Sequence, residues 1–577
     1  MDEPPEISDV ARVASHAGRL GARDVEERSW TSDLLDLAQD QRWALGFIGV
    51  ALVALMVRAL FVLPAGFPLN DGGLFVVMSQ DIQAAGYALP WTTSYNPAGY
   101  EAAIPFAYPP LAFYIAALIE DLTPFSMLEV YWLLPLTGSM LTVAGVYCLG
   151  RTFFEGRLIP LLAAFAFALT PRSFTWLVMG GGLTRSLGLA AALFALAAFR
   201  IAMREDAAPA TRRRALVAAT LLSAATLGTH LEAAVLLATG ILLSSVLPPT
   251  RWRVTVFLTV GLGTLTLTAP WWATVLVRHG FEPFLAARTY GGDVLSDGVI
   301  SSNLFERLIT PVITHEPFFA VVGATGALGA FIAVARGHWV LPALWGALIL
   351  LNMRALATFS VVPTALLAGY ATAQVLIPIL RDAATGEGDD PAASPDVTSD
   401  ATARRPRSEF ASWRPALLAG LVLGILFYGA THQSRGEAAY LRPVSDVDQR
   451  AMSWAALALP PDSTFLVIPM RPWPADREGE WLPTLAHRPA VNVPQGYEWV
   501  DGAFDRRVYL HDLAWTCWYQ DADCIEAIAQ QVEFTHVFLP NGCCDPLLMS
   551  FISDPRYDVE YLAGAAIVRR GLSSQWR

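Results

Sequence analysis

The sequence predicts a mainly α-helical membrane protein: a bundle of about eleven transmembrane helices, then a small α/β domain outside the cytoplasm. Three observations predict it. Apolar residues make up 54% of 577 residues and the mean hydropathy is +0.43, an excess over the roughly 45–50% of soluble domains. The excess gathers in runs long enough to cross a hydrocarbon core about 30 Å thick. Arginines crowd the short stretches between alternate runs, as cytoplasmic loops require.

The apolar runs fall near 43–63, 128–149, 158–171, 184–203, 214–229, 231–248, 253–270, 317–335, 338–353, 356–380 and 415–431. A polar tail, 1–42, precedes them. No short apolar segment with a small-residue cleavage site is visible, so the run at 43–63 reads as an uncleaved anchor. Arg151 and Arg157 flank one short loop, Arg212 to Arg214 crowd another, and Arg251, Arg253, Arg336 and Arg381 mark others. Placing these loops inside puts the N-terminus in the cytoplasm and the C-terminal region outside.

The resulting map has a transmembrane domain at 43–381, with external loops at 65–127 and 271–316. A disordered cytoplasmic linker, 382–413, rich in Asp, Ala, Pro, Ser and Thr, leads to a last span at 414–432. Residues 109–122 are apolar but short, and counting them as a span would put the arginine loops outside. They read as an interfacial or re-entrant helix. Trp271 and Trp272 open the second external loop as an aromatic anchor at the membrane surface.

The domain at 433–577 alternates strand and helix signals. Thr464–Pro469 and Thr535–Pro540 read as strands, Asp523–Gln531 as a helix, and Asp558–Leu562 with Ala565–Arg569 as a closing hairpin. Cys517, Cys524, Cys543 and Cys544 cluster there. An exported domain favours disulfides, and these four cysteines leave the pairing open. Zinc is the alternative, with His511 and His536 nearby, although the spacing matches no finger or ribbon. Cys148 lies in an apolar run and reads as a packing residue.

The net charge is −12, and all 39 basic residues are arginine. An acidic excess without lysine suits a surface kept hydrated in strong salt, which points to a halophilic archaeal source; a GC-rich genome would also favour Arg, Ala and Gly. No basic stripe suggests a nucleic-acid partner.

Asp71 is the leading candidate for chemistry. It follows the first span in Phe67-Pro68-Leu69-Asn70-Asp71-Gly72-Gly73, at the outer membrane boundary, where glycines let a substrate approach the backbone. The structural alternative is an N-cap for a helix beginning near Leu74. Farther along comes Ala107-Tyr108-Pro109-Pro110-Leu111, opening another apolar helix. This arrangement of span, acidic residue, long external loop and aromatic-Pro-Pro-Leu resembles the polyprenyl-phosphate-dependent glycosyltransferases of the GT-C fold, over roughly residues 40–380. That family includes dolichyl-phosphate-mannose mannosyltransferases and the aminoarabinose transferase of lipid A.

The resemblance implies a lipid-phosphate-linked sugar as donor and a glycan, protein or lipid as acceptor. It implies that Asp71 acts as catalytic base or metal ligand, so a divalent metal is possible but no cofactor is certain. It also implies an arginine before a late span that contacts the lipid phosphate, and Arg354 in Asn352-Met353-Arg354-Ala355 resembles it. An arginine in apolar sequence is a functional candidate by default, against the alternative of snorkelling at a helix end. The same two readings apply to Arg185, after Gly180-Gly181-Gly182-Leu183-Thr184. His230 and Glu232, in a tight outer turn, could bind donor phosphate, orient the acceptor or hold a cation, or could simply cap the turn. Tyr108 joins this set as a substrate-binding candidate.

The chain departs from the family in one loop. Pro171-Arg172-Ser173-Phe174-Thr175-Trp176 contains no acid where many members carry a second one. Glu232, Asp81 and Glu101 are the substitutes available. The Trp-Trp-Asp-Tyr-Gly motif of oligosaccharyltransferases is absent, and Trp515-Thr516-Cys517-Trp518-Tyr519 is only superficially similar. Transfer of a single sugar is therefore expected rather than en bloc transfer of an oligosaccharide. In the C-terminal domain, Glu480-Trp481-Leu482-Pro483 and Asn492 to Trp499 resemble segments of related membrane glycosyltransferases. Their aromatics could stack on sugars or pack in a core. The rival class is a transporter or lipid-handling protein, but no internal repeat is evident and the polar residues cluster at helix ends rather than mid-span.

Overall fold

The computed structural model describes residues 40–96, 103–245, 250–290, 314, 316, 320–351, 356–379 and 440–571. By contacts the chain divides into Met1–Val53 and Ala54–Arg577. Of the first unit, only the opening of the first helix is described. The predicted linker 382–413 and the predicted span 414–432 lie outside the described residues, as does most of the polar tail 1–42.

The described parts of the other ten predicted apolar runs are largely helical. In chain order the helices of this part are α1 (Asp40–Ala65), α2 (Gly73–Ala84), α3 (Leu111–Leu122), α4 (Met127–Phe153) and α5 (Leu158–Leu169). They continue with α6 (Gly182–Ala202), α7 (Pro209–Thr229), α8 (Leu231–Ser244), α9 (Arg251–His279) and α10 (Glu282–Tyr290). α11 (Val321–Ala335), α12 (Val340–Leu351) and α13 (Leu356–Ala371) complete the set. Five described helices are long and apolar enough to cross a membrane: α1, α4, α6, α9 and Thr358–Ile379. The pair Leu158–Leu169 and Pro171–Leu177 is bent by 91°, a broken span or a re-entrant loop, while α8, α11 and α12 are shorter apolar helices.

Local chemistry sets the ends. α4 starts with a complete capping box, Ser126 and Glu129, and carries Arg151 in its last turn, where a cation meets the negative end of the helix. The Thr250 hydroxyl accepts from the Arg253 N–H to open α9. α9 differs from expectation at its far end. The loop predicted from 271 begins later, because the helix runs through Pro270 to His279. Buried Trp271 and Val275 continue the packed face past the proline, and Trp271 Nε1 donates to the Ala107 carbonyl at 3.2 Å. That packing outweighs the backbone hydrogen bond the proline removes.

α3 is 12 residues long, about 18 Å at 1.5 Å per residue, too short to cross a bilayer. It buries Ala112, Phe113, Ala116 and Ala117 against its neighbours. Long helices meet through small residues. A Cβ on Gly138 of α4 would stand 2.3 Å from the Ser186 hydroxyl of α6, so only glycine allows that approach. Cys148, expected to pack, is instead exposed on α4.

The C-terminal domain contains α14 (Asp446–Ala458), α15 (Arg477–Ala486), α16 (Ala503–Thr516), α17 (Ala522–Ala529) and α18 (Asp545–Ser553). Its sheet is β1 (Phe465–Val467), β2 (His536–Leu539), β3 (Tyr557–Ala563) and β4 (Ala565–Arg570), in the order β1-β2-β4-β3. β1 pairs parallel with β2, and β4 pairs antiparallel with both β2 and β3. The predicted strands, helix and hairpin are all present. Alternate residues serve two cores. Phe465, Val467, Phe538, Ala565 and Ile567 join α14, α15, α2, α3 and the start of α4. Leu466, Val537, Leu539, Ala566 and Val568 face α16, α17 and α18. A period-two strand covered on both faces explains why these segments read as continuous apolar runs. The domain thus shares a hydrophobic core with α2 and α3.

The sulfurs of Cys517 and Cys524 pair, as do those of Cys543 and Cys544. His511 instead faces Asp476 and Asp512, and His536 faces Glu560. Among the described residues no three His, Cys, Asp or Glu side chains converge as metal ligands.

Candidate active site

Asp71 does not cap α2. The N-cap residue there is Gly72, with no side-chain capping bond. The Asp71 carboxylate turns the other way, toward α6. Its Oδ1 accepts from the Gly181 N–H at 3.0 Å and its Oδ2 accepts from Arg185 Nη2 at 3.3 Å. It therefore caps α6 from a distant segment, where the helix dipole favours a negative charge. Both side chains of the pair keep 16% exposure, so the pair is sheltered but not sealed. Arg185 also donates to the Trp176 carbonyl at 3.2 Å and lies over the Trp176 ring.

Glycine makes this approach possible. Gly72 has φ +128°, and a Cβ there would lie 2.9 Å from the Gly180 backbone. A Cβ on Gly180 would stand 2.1 Å from the Asp71 carbonyl oxygen. The run of three glycines ahead of Arg185 is thus the surface on which the Asp71 segment lies.

Tyr108 comes to the same place. Its hydroxyl is 3.3 Å from the Thr184 hydroxyl, and its ring meets Phe75, Phe113 and Trp499. Glu232 sits close enough for its charge to act on Arg185 and on Tyr108. His230 is buried, and its Nδ1 accepts from the Ala233 N–H, capping α8. The structural alternative for His230 is therefore observed. Asp81, on α2, accepts from the Thr93 hydroxyl and the Ser94 N–H. Arg354 and Glu101 lie outside the described residues.

Sequence reasoning singled out Glu480-Trp481 but did not place it at this site. α15 lies directly on the Asp71 turn. Glu480 Oε1 accepts from the Gly72 N–H at 2.8 Å, and Trp481 Nε1 donates to the Asn70 carbonyl at 2.8 Å. A Cβ on Gly73 would lie 2.8 Å from the Glu480 carbonyl. Burial first, and the charge of Asp71 second, push the Glu480 carboxyl up to about 8. Trp481, Tyr497 and Trp499 are buried, so these aromatics pack rather than present open sugar-stacking faces. The available signal was Glu480-Trp481 itself, an acid beside a large aromatic, but burial is invisible in sequence.

The arrangement brings a part-exposed carboxylate, an arginine, a tyrosine and the start of a 21-residue helix to one spot. Such a spot can take a proton and hold an anion.

Comparison with solved structures shows the fold. The chain superposes on the archaeal oligosaccharyltransferase AglB from Archaeoglobus fulgidus, solved with an inhibitory peptide and a dolichol-phosphate, with a TM-score of 0.55 and 13% identity, covering 87% of this chain and 69% of that one. It superposes on ArnT from Cupriavidus metallidurans in the apo state with a TM-score of 0.53 and 16% identity, covering 92% of this chain and 99% of that one. No protein-family model and no curated protein sequence matches the chain. The chain has the GT-C fold of these membrane proteins.

Proposed function

We propose that this chain is a membrane glycosyltransferase that moves one sugar from a polyprenyl phosphate, dolichyl in an archaeon, to a glycan, protein or lipid acceptor outside the cytoplasm. The observation that supports it most is the Asp71–Arg185 pair, 3.3 Å apart and part-exposed, in a chain with the GT-C fold. The AglB neighbour, solved with dolichol-phosphate, favours the lipid-phosphate donor class. The missing Trp-Trp-Asp-Tyr-Gly motif favours a single sugar.

The chemistry follows from charge. The acceptor hydroxyl oxygen bonds to the anomeric carbon from the face opposite the phosphate, and its proton passes to the Asp71 carboxylate. The bond from the anomeric carbon to the phosphate oxygen breaks, its electron pair leaves with the phosphate, and the centre inverts. A lipid phosphate needs no proton to leave but does need positive charge beside it. Arg185 and the N–H groups at the start of α6 supply that charge, with Arg354 as a second cation from the 352–355 segment. Tyr108 and Glu232 would orient sugar or acceptor hydroxyls. No step is routed through a metal.

In the membrane, this reading keeps the N-terminus and the arginine loops in the cytoplasm and the C-terminal domain outside the cell. It extends to an archaeal, salt-adapted plasma membrane and a surface glycan as product. D71N tests the chemistry: sugar transfer should fall by about 100-fold or more, and full activity would remove the proposed base. Single cysteines at positions 210 and 290 test the topology. The second should label from outside and the first should not, and outside labelling at 210 would reverse the orientation.

A further inference from the structure

Glu480 is an acid from the C-terminal domain, and no part of the mechanism above uses it. Its side chain is almost fully buried, and its Oε1 accepts the Gly72 N–H. That N–H belongs to the peptide bond joining Asp71 to Gly72, whose carbonyl carbon is bonded directly to the Asp71 Cα. On the other side of the same turn, the Gly181 N–H approaches both the Asp71 carbonyl and its Oδ1, at 3.2 and 3.0 Å. Rotation of the 71–72 peptide would break the first bond and swing Asp71 off Arg185. α15 has no other side-chain hold on this peptide among the described residues; Trp481 grips the preceding carbonyl, that of Asn70.

We propose that Glu480 is a positioning residue for Asp71: from the C-terminal domain it fixes the Asp71–Gly72 peptide in the orientation that lays the Asp71 carboxylate on Arg185 and on the start of α6. The inference deepens the transferase reading and rests on it for its catalytic meaning. It makes the C-terminal domain part of the active site rather than an appended module.

The surroundings of Glu480 decide its charge state. Asp71 faces it from the segment ahead of α2, Glu498 from the 3-10 turn at Tyr497–Trp499, and Arg185 from α6. The Tyr95 hydroxyl donates to the Glu480 main-chain carbonyl. On its own helix Arg477 pairs with Glu478, and Asp448 of α14 is held by Ser445 and the Asn541 N–H. Two carboxylates near one arginine, out of water, favour a proton on the more buried of the two. Glu480 then holds the peptide as a neutral acid. Ionised, it would set a second negative charge where the donor phosphate must bind.

The test uses full-length protein in detergent and needs no donor, so its failure would be distinct from failure of the transferase reading. E480Q keeps an acceptor oxygen for the Gly72 N–H but cannot titrate, whereas E480A removes the acceptor. A carboxyl raised from 4.5 to about 8 contributes stability that is full below about pH 4.5 and is lost as pH rises through about 8. The melting temperature of the natural protein should therefore fall relative to E480Q across that window and run parallel to it above. A cycle of E480A with D71N reads the positioning. At about pH 5, where burial keeps Glu480 protonated with or without Asp71, the double variant should depart from the sum of the single shifts by about 3 °C, while E480Q with D71N should be additive. Parallel melting curves for the natural protein and E480Q, or an additive E480A cycle, would overturn the proposal. Should E480A fail to fold, E480M, which fills the space without an acceptor, replaces it in the same cycle.

Discussion

Arg58 and Arg185 both lie within apolar helices, and their surroundings are opposites. Arg58 of α1 is fully buried. Its Nε donates to the Ser139 hydroxyl of α4 at 2.9 Å, its Nη1 donates to the Ala54 and Ala168 carbonyls, and its guanidinium faces the Phe174 ring. All of those partners are neutral. Ala168 is in the last turn of α5, just before the 91° bend, so Arg58 satisfies a carbonyl that the end of the helix leaves without a partner. Arg185 of α6 keeps 16% of its side chain exposed and pairs with a carboxylate that is equally open. A sealed arginine with neutral partners ties helices together. An arginine with an acidic partner at an open edge can exchange that partner for a substrate anion. Both are costly charges in apolar sequence; only burial and partner chemistry separate the roles.

Paired substitutions sharpen this contrast. The largest effect is expected at the open site. D71N should lower sugar transfer by about 100-fold or more with little change in folding, because the amide keeps an acceptor for the Gly181 N–H but no longer takes a proton. R185A should lower transfer by about 100-fold, the usual loss when a charge-stabilising donor is removed. R185K should recover only part, because an ammonium cannot reach both Asp71 and the Trp176 carbonyl with a planar fork. R58A should do the reverse. It should cost about 2–4 kcal/mol of stability, through a cavity and the unsatisfied Ser139 and Ala168 groups. The folded fraction should transfer sugar within about twofold of the natural protein. Equal loss of turnover in R58A and R185A, per folded molecule, would break the distinction.

Much of this was legible before any coordinates. The helices follow from long apolar runs, and β1, β2 and the β3–β4 hairpin follow from short apolar segments bounded by turn residues. Asp71 and Arg185 were legible because each stands beside a run of glycines at the end of an apolar stretch. Their partnership was not, since 114 positions separate them. Glu480 was named only as part of a segment resembling related transferases, and its contact with Gly72 was hidden by a separation of 408 positions. His230 shows the converse. A histidine at a turn between spans carries the same sequence signal whether it binds a ligand or caps a helix, and here it caps. The extension of α9 past Pro270 was masked because proline followed by two tryptophans is also a boundary signal.

The smallest expected effect tests whether the C-terminal domain acts on the open arginine through the backbone of the Asp71 turn. Trp481 is fully buried, meets Phe67 edge-on at 4.7 Å between ring centroids, and donates to the Asn70 carbonyl. Asn70 has φ +51°, a left-handed conformation that asparagine tolerates and that needs holding. W481F keeps an aromatic in the core and removes the donor. It should cost about 1 kcal/mol for the hydrogen bond plus a little for lost volume. If the turn matters only as packing, transfer per folded molecule should not change. If the Asn70 carbonyl helps to set where the Asp71 carboxylate points, transfer should fall about threefold to tenfold while donor KM holds, because a misplaced base slows the chemical step more than it weakens binding. The same substitution combined with R58A should be additive in stability, since the two sites share no partner. Combined with R185A it should not be additive in rate, because without the guanidinium the direction of Asp71 has little left to act on.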